Sequence, residues 1–224
     1  LILKRTMLRA DHIVYISLWL KTRYFERSGF KGIENKPWSV IHHAPPPLFL
    51  EDTGDHDNNL SAYRKSENAV YLCYAGSFRS WDKAQGVAML LNVLSSIVKD
   101  HPELNIHLFI AGKGRLRPKL EEIAASNSIS EKCTFTGNLK WDKLRDLYLS
   151  CDLFVYPSFQ DGCPTVVMEA QACGLPAIVT DSCGAPELVV DGVTGIVCSP
   201  IEVEIYNSLV KLIFDEATRK YMGL

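Results

Sequence analysis

The chain has 224 residues, of which 47% are hydrophobic and 22% charged, with a formal net charge of −2. That is enough for one large α/β domain or one domain with part of another, and the balance is that of an ordinary globular protein. The charge gives no footprint for nucleic acid, and no apolar stretch reaches the roughly 18 residues of a membrane span.

Taken in order, residues 11–17 read as a short buried strand, and 18–28 as a helix that Gly29 ends. Residues 38–41 form a second strand, followed by His42-His-Ala-Pro-Pro-Pro47, whose prolines favour an extended connector. The His42–His43 pair sits outside the other motifs and reads as structural or solvated. Residues 51–69 are polar and turn-rich, and read as a linker. Strands at 70–75, 106–111, 132–136, 152–156, 176–180 and 194–198 then alternate with helices at 85–99, 115–127, 140–150, 165–173 and 185–190. Such alternation predicts an α/β fold, a Rossmann-like parallel sheet with helices on both faces. Ligands of such sheets bind beyond the carboxyl ends of the strands, where the glycine turns at 76, 112–114, 137 and 162 fall.

The seven cysteines show no C-x-x-C and no paired histidine spacing, so reduced core thiols are expected rather than a zinc site or disulfide framework. The opening residues do not read as a secretory signal, and the expected location is cytoplasmic. The chain begins on Leu1 and stops at Leu224 inside a helical pattern, which gives the expectation of a fragment of a longer protein.

The most informative run is Pro157-Ser-Phe-Gln-Asp-Gly-Cys-Pro-Thr-Val-Val-Met-Glu169. It sets Asp161 and Glu169 on either side of a Gly/Pro turn that opens into a helix. A helix start offers unpaired N–H groups and a positive dipole end to a phosphate, here from Thr165 and Val166, while Gly162 permits close approach of the chain to a ligand. Ionised carboxylates accept several hydroxyl hydrogen bonds, which suits a sugar and a ribose. The pattern therefore points to a nucleotide-activated sugar.

This run resembles the E-x7-E region of the retaining glycosyltransferases of family 4, the group 1 class with two Rossmann-like domains known as GT-B. Gly76-Ser-Phe, Ile110-Ala-Gly-Lys-Gly114, Phe135-Thr-Gly-Asn138, Asp152-Leu-Phe-Val-Tyr-Pro-Ser158, Gly184-Ala-Pro-Glu-Leu188 and Asp191-Gly-Val-Thr-Gly-Ile196 extend it in order. The resemblance implies that residues 1–50 hold the last strand and helix of an amino-terminal domain with the connector, 51–69 a linker, and 70–224 the donor-binding domain. It implies catalytic roles for Asp161, which would orient the transferred sugar, and Lys83, which would neutralise the leaving diphosphate. Asp161 stands where the family has Glu, one methylene shorter.

By the same resemblance Glu169 would hold the ribose hydroxyls, and Gly76, Ser77 and Arg79 would belong to the phosphate loop. Ser77 stands where the family commonly has Arg, and Arg79 could replace that guanidinium. Asn138 and Leu139 would lie beside the base. Lys113 reads as solvent-facing, and Glu187 as a cap or brace of the fold. No cofactor and no metal is implied, only a nucleotide-diphosphate sugar as donor and a glycan or lipid-linked acceptor bound through the other domain. The family resemblance also implies that any membrane association is peripheral, at the inner face. A non-catalytic nucleotide-sugar-binding or assembly module is the alternative, and the departures at Ser77, Lys83 and Asp161 support it.

Overall fold

The computed structural model describes residues 2–28, 32–33, 35–51, 63, 66 and 68–223. Its helices are α1 (Ile2–Arg9), α2 (Leu18–Ser28), α3 (Trp81–Asp100), α4 (Arg117–Ser126), α5 (Trp141–Leu149), α6 (Thr165–Ala172), α7 (Glu202–Phe214) and α8 (Glu216–Met222). The strands are β1 (Ile13–Tyr15), β2 (Trp38–Val40), β3 (Val70–Ser77), β4 (Ile106–Lys113), β5 (Cys133–Gly137), β6 (Leu153–Tyr156), β7 (Ala177–Thr180) and β8 (Gly195–Cys198).

β3 to β8 make one six-stranded sheet in the order β5-β4-β3-β6-β7-β8, and every neighbouring pair runs parallel. Every residue of β6 and β7 is buried, as strands covered on both faces must be, and this is why they read as unbroken apolar runs. α3 packs between α4 and α7, while α5 and α6 pack with a 3-10 turn at Pro47–Leu50. The fold is the expected Rossmann-like sheet with helices on both faces.

The strand order fixes where a ligand fits. The chain builds outward from β3 through β4 to β5, then returns to the other side of β3 to lay down β6, β7 and β8. Consecutive connections therefore diverge between β3 and β6, leaving a crevice above their carboxyl ends.

A smaller unit precedes this sheet. β1 and β2 pair in parallel, and Met7, Ile13, Tyr15 and Ile33 form a core of their own. α2 is capped partly from within and partly from the large sheet. Ser17 is buried and its hydroxyl accepts from the Leu20 N–H at 3.0 Å. Glu187, in the 3-10 turn Ala185–Leu188, accepts from the N–H groups of Leu18 at 2.8 Å and Trp19 at 2.7 Å. Three of the four N–H groups left over at a helix start are thus satisfied, two of them by a carboxylate favoured at that dipole end. Burial alone would push the Glu187 carboxyl up, but these two donors and His42 outweigh it and hold it below its ordinary value.

The structure corrects several boundaries. α3 starts at Trp81 rather than 85, so Lys83 lies in the first turn of a helix and not in a loop. The strand expected at 70–75 runs on to Ser77, and the helix expected at 185–190 is a 3-10 turn. The proline run leads into a 3-10 turn rather than staying extended throughout, because Pro47 sits at a position whose N–H needs no partner. The helix end expected at Gly29 lies outside the described residues, as does most of the 51–69 segment.

Candidate active site

Two clusters of side chains and backbone lie at the carboxyl ends of the sheet strands, one over β3, β4 and β5 and one between α3 and the loop after β6. The first is a cleft of about 350 Å³ lined by Gly76, Ser77, Arg79, Gly112, Lys113, Asn138, Leu139 and Val166, with Ala75, Ala111 and Leu144 at its floor. Parallel pairing sets Gly76 beside Gly112 and Ser77 beside Lys113, so this side of the cleft is largely backbone. Arg79 and Lys113 are exposed, and neither has a carboxylate partner among the described residues. Lys113, read as solvent-facing, thus also borders the cleft.

The second cluster is an ion pair. The Lys83 ammonium donates to Asp161 Oδ2 at 2.8 Å and to the Gln160 carbonyl at 2.7 Å. Two of its three N–H donors are used, and the third is left for a ligand. The Tyr156 hydroxyl donates to the same Asp161 oxygen at 2.9 Å. Burial, first of all, pushes the Tyr156 hydroxyl up, so it remains a donor across the physiological range.

What brings Lys83 to Asp161 is Gly86. A Cβ there would overlap the Pro157 carbonyl oxygen, so only glycine lets α3 lie against the chain leaving β6. Gly86 belongs to none of the sequence motifs named above. The signal was available: a glycine inside an exposed-to-buried helical stripe costs about 1 kcal/mol against Ala, so it needs a packing reason.

The acidic pair separates in depth. Asp161 is half-buried on the loop, whereas Glu169 is buried one turn beyond Val166 on α6 and does not line the cleft surface. Burial pushes the Glu169 carboxyl up, and the Thr165 hydroxyl, hydrogen-bonded to it, offsets part of the rise. Thr165 and Val166 open α6, so their N–H groups have no carbonyl within the helix to bond. Gly162 does not face open space. The Leu20 side chain of α2 would lie 3.4 Å from a Cβ there, and a Cβ on Gly184 would overlap the Gly162 carbonyl. Gly184 thus serves a close crossing of two chain segments, while a side chain at Gly162 would meet Leu20 at ordinary van der Waals distance.

His42, read as structural or solvated, donates from Nε2 to Glu187 at 3.1 Å, and Glu187 braces the fold. All seven cysteines are free, five of them buried. Among the described residues no group of three His, Cys, Asp or Glu side chains is placed to hold a metal ion, and no helix is long and apolar enough to cross a membrane.

The cleft, the ion pair and the open helix start lie at the switch point of a parallel sheet, and the sequence that builds them matches the family described as glycosyl transferases group 1 over residues 55–223. The chain belongs to this group 1 glycosyltransferase family. An uncharacterised glycosyltransferase of Methanocaldococcus jannaschii is 26% identical over 219 residues, a match that takes in 96% of this chain and 52% of that protein. Among solved structures, sucrose-phosphate synthase from Thermosynechococcus elongatus superposes with a TM-score of 0.81 at 19% identity, over 99% of this chain and 54% of the other. Anabaena HepE in complex with UDP-glucose superposes with a TM-score of 0.78 at 19% identity, over 99% of this chain and 59% of that one. The group 1 chain thus shares the GT-B fold of these structures and spans about half the length of the curated relative.

Proposed function

We propose that this chain is the donor-binding half of a retaining family 4 glycosyltransferase, whose whole protein moves a sugar from a nucleotide diphosphate to an acceptor hydroxyl. The division into an amino-terminal remnant at 1–50, a linker at 51–69 and a donor domain at 70–224 belongs to this reading, as does an acceptor site on another domain. The observation that carries it is the Lys83–Asp161 ion pair at the β3/β6 switch point, at the same end of the sheet as a cleft bordered by two exposed cations, Arg79 and Lys113.

Each group has a task that its surroundings suit. The nucleoside occupies the cleft beside Asn138 and Leu139, with Gly76 and Ser77 allowing the backbone to come close. The diphosphate takes the spare N–H of Lys83, the Arg79 guanidinium and the N–H groups of Thr165 and Val166. Such donors are fixed before charge develops on the leaving group, which is where electrostatic stabilisation acts. Asp161 accepts from the sugar hydroxyls. Glu169 lies in apolar surroundings that disfavour its charge, and two ribose hydroxyls would supply the donors it lacks. A membrane role is left to the acceptor, and the donor half stays in the aqueous phase on the cytoplasmic side.

Calorimetric titration with UDP, GDP and ADP tests the reading. Binding of one of them, weakened tenfold or more by Glu169→Ala, is the expected result. A folded chain that binds none of the three overturns it. The donor half alone holds only one of two substrates in near-attack geometry, so we expect no measurable transfer to acceptor without the other domain.

A further inference from the structure

Asp161 accepts two hydrogen bonds, and both fall on one oxygen. Lys83 Nζ and Tyr156 Oη lie 2.8 and 2.9 Å from Oδ2, while Oδ1 has no partner among the described residues. The carboxylate is therefore held by one oxygen and presents the other.

The residue that holds it is itself immobilised. The Tyr156 ring stacks on Tyr74 with centroids 5.6 Å apart and planes 11° apart, and on Phe154 at 6.1 Å and 11°. Tyr74 in turn stacks on Phe78 at 6.1 Å, and Phe154 meets Tyr148 edge-on at 5.6 Å. This aromatic row crosses from β3 to β6 beneath the crevice, and Tyr156 itself is only 4% exposed. Its phenol ends on the half-buried Asp161 carboxylate. A ring packed in this way gives its hydroxyl a fixed position at little further entropic cost.

Resting on the donor-site reading above, we propose that Tyr156 is a positioning residue for sugar recognition: it pins Oδ2 of Asp161 so that Oδ1 faces the hydroxyls of the transferred sugar. Lys83 cannot do this alone, because its flexible stem is also engaged by the Gln160 carbonyl and by the diphosphate. The short aspartate side chain is matched to this arrangement. One methylene more would carry the carboxylate off the phenol, which the packed row cannot follow.

The test compares nucleotide with nucleotide sugar. UDP, GDP and ADP are titrated beside UDP-glucose, GDP-mannose and ADP-glucose into the full chain, into Tyr156→Phe, and into both forms carrying Asp161→Ala. Thermal denaturation checks that each variant is folded. We expect Tyr156→Phe to leave the affinity for the bare nucleotide within twofold and to weaken the nucleotide sugar by about fivefold or more, an effect that vanishes in the Asp161→Ala background. Equal losses for both ligands, or a loss that persists without Asp161, would make Tyr156 a structural residue and overturn the proposal while leaving the donor site in place. Absence of binding by any of the six compounds to the unaltered chain overturns both.

Discussion

The two sides of the β3/β6 crevice are built differently. On the β3–β4 side the lining is backbone, glycine and two exposed cations on the rim, Arg79 and Lys113. On the β6 side acidic and aromatic side chains lock one another: Asp161 is held by Lys83 and Tyr156, and Glu169 lies buried behind the surface against Thr165. A backbone surface accepts any ligand of the right shape and charge, whereas locked side chains discriminate among hydroxyl patterns. In the proposed reading the nucleotide diphosphate takes the first kind of surface, and the sugar and ribose the second.

The contrast can be broken most severely at the point where the two sides are joined. Gly86→Ala drives a Cβ into the Pro157 carbonyl, so α3 must move away from β6 and take Lys83 with it. Overpacking of this kind costs about 1–3 kcal/mol, and we expect both a lowered melting temperature and loss of nucleotide binding by calorimetry. Lys83→Ala separates the two effects. The ion pair is partly exposed and is worth under about 1 kcal/mol to stability, so the melting temperature stays nearly unchanged. A hydrogen bond to a charged phosphate is worth about 1.5–3 kcal/mol, so nucleotide affinity falls by roughly 10- to 100-fold.

The acidic side is sharpened by pH. Glu169 has a folded carboxyl raised above its ordinary value, so its ionised form costs stability that is absent below the unfolded pKa and grows as pH rises through the folded one. If ribose hydroxyls bind the ionised form, as proposed, nucleotide affinity weakens as pH drops from neutrality through that raised pKa. Glu169→Gln should flatten the profile in calorimetry run from neutral into acid pH. The cationic rim is the smallest lever. Arg79→Ala should weaken nucleotide by only about two- to threefold, and the difference should shrink when salt is raised to about 1 M, because exposed charges are screened there.

Much of the fold was legible because helix and strand alternate so regularly after residue 70, and because β6 and β7 carry runs that only a doubly covered strand tolerates. The start of α3 was not legible. In its first turn, Trp81-Asp-Lys-Ala, two residues are exposed and Lys83 is half-buried, and the apolar stripe that marks a buried helix begins only at Ala84. Asp161, Lys83 and the cleft-lining residues could be named from motif order, but the distances among them depend on how close α3 comes to β6, which Gly86 decides from outside any motif. Tyr156 was hidden for another reason. In the sequence it is one more apolar residue of a buried strand, and only the direction of its hydroxyl sets it apart. Gly162, read as a site of ligand approach, has Leu20 at van der Waals distance from where a Cβ would lie, and Gly184 packs against its carbonyl, neither of which the sequence shows.

Glu187 ties the small β1–α2–β2 unit to the large sheet through one carboxylate that engages two helix N–H groups and His42. The tie rests on the ionised form of one carboxylate: acid that protonates Glu187, below its already lowered pKa, weakens the acceptor shared by both helix N–H groups and His42 at once.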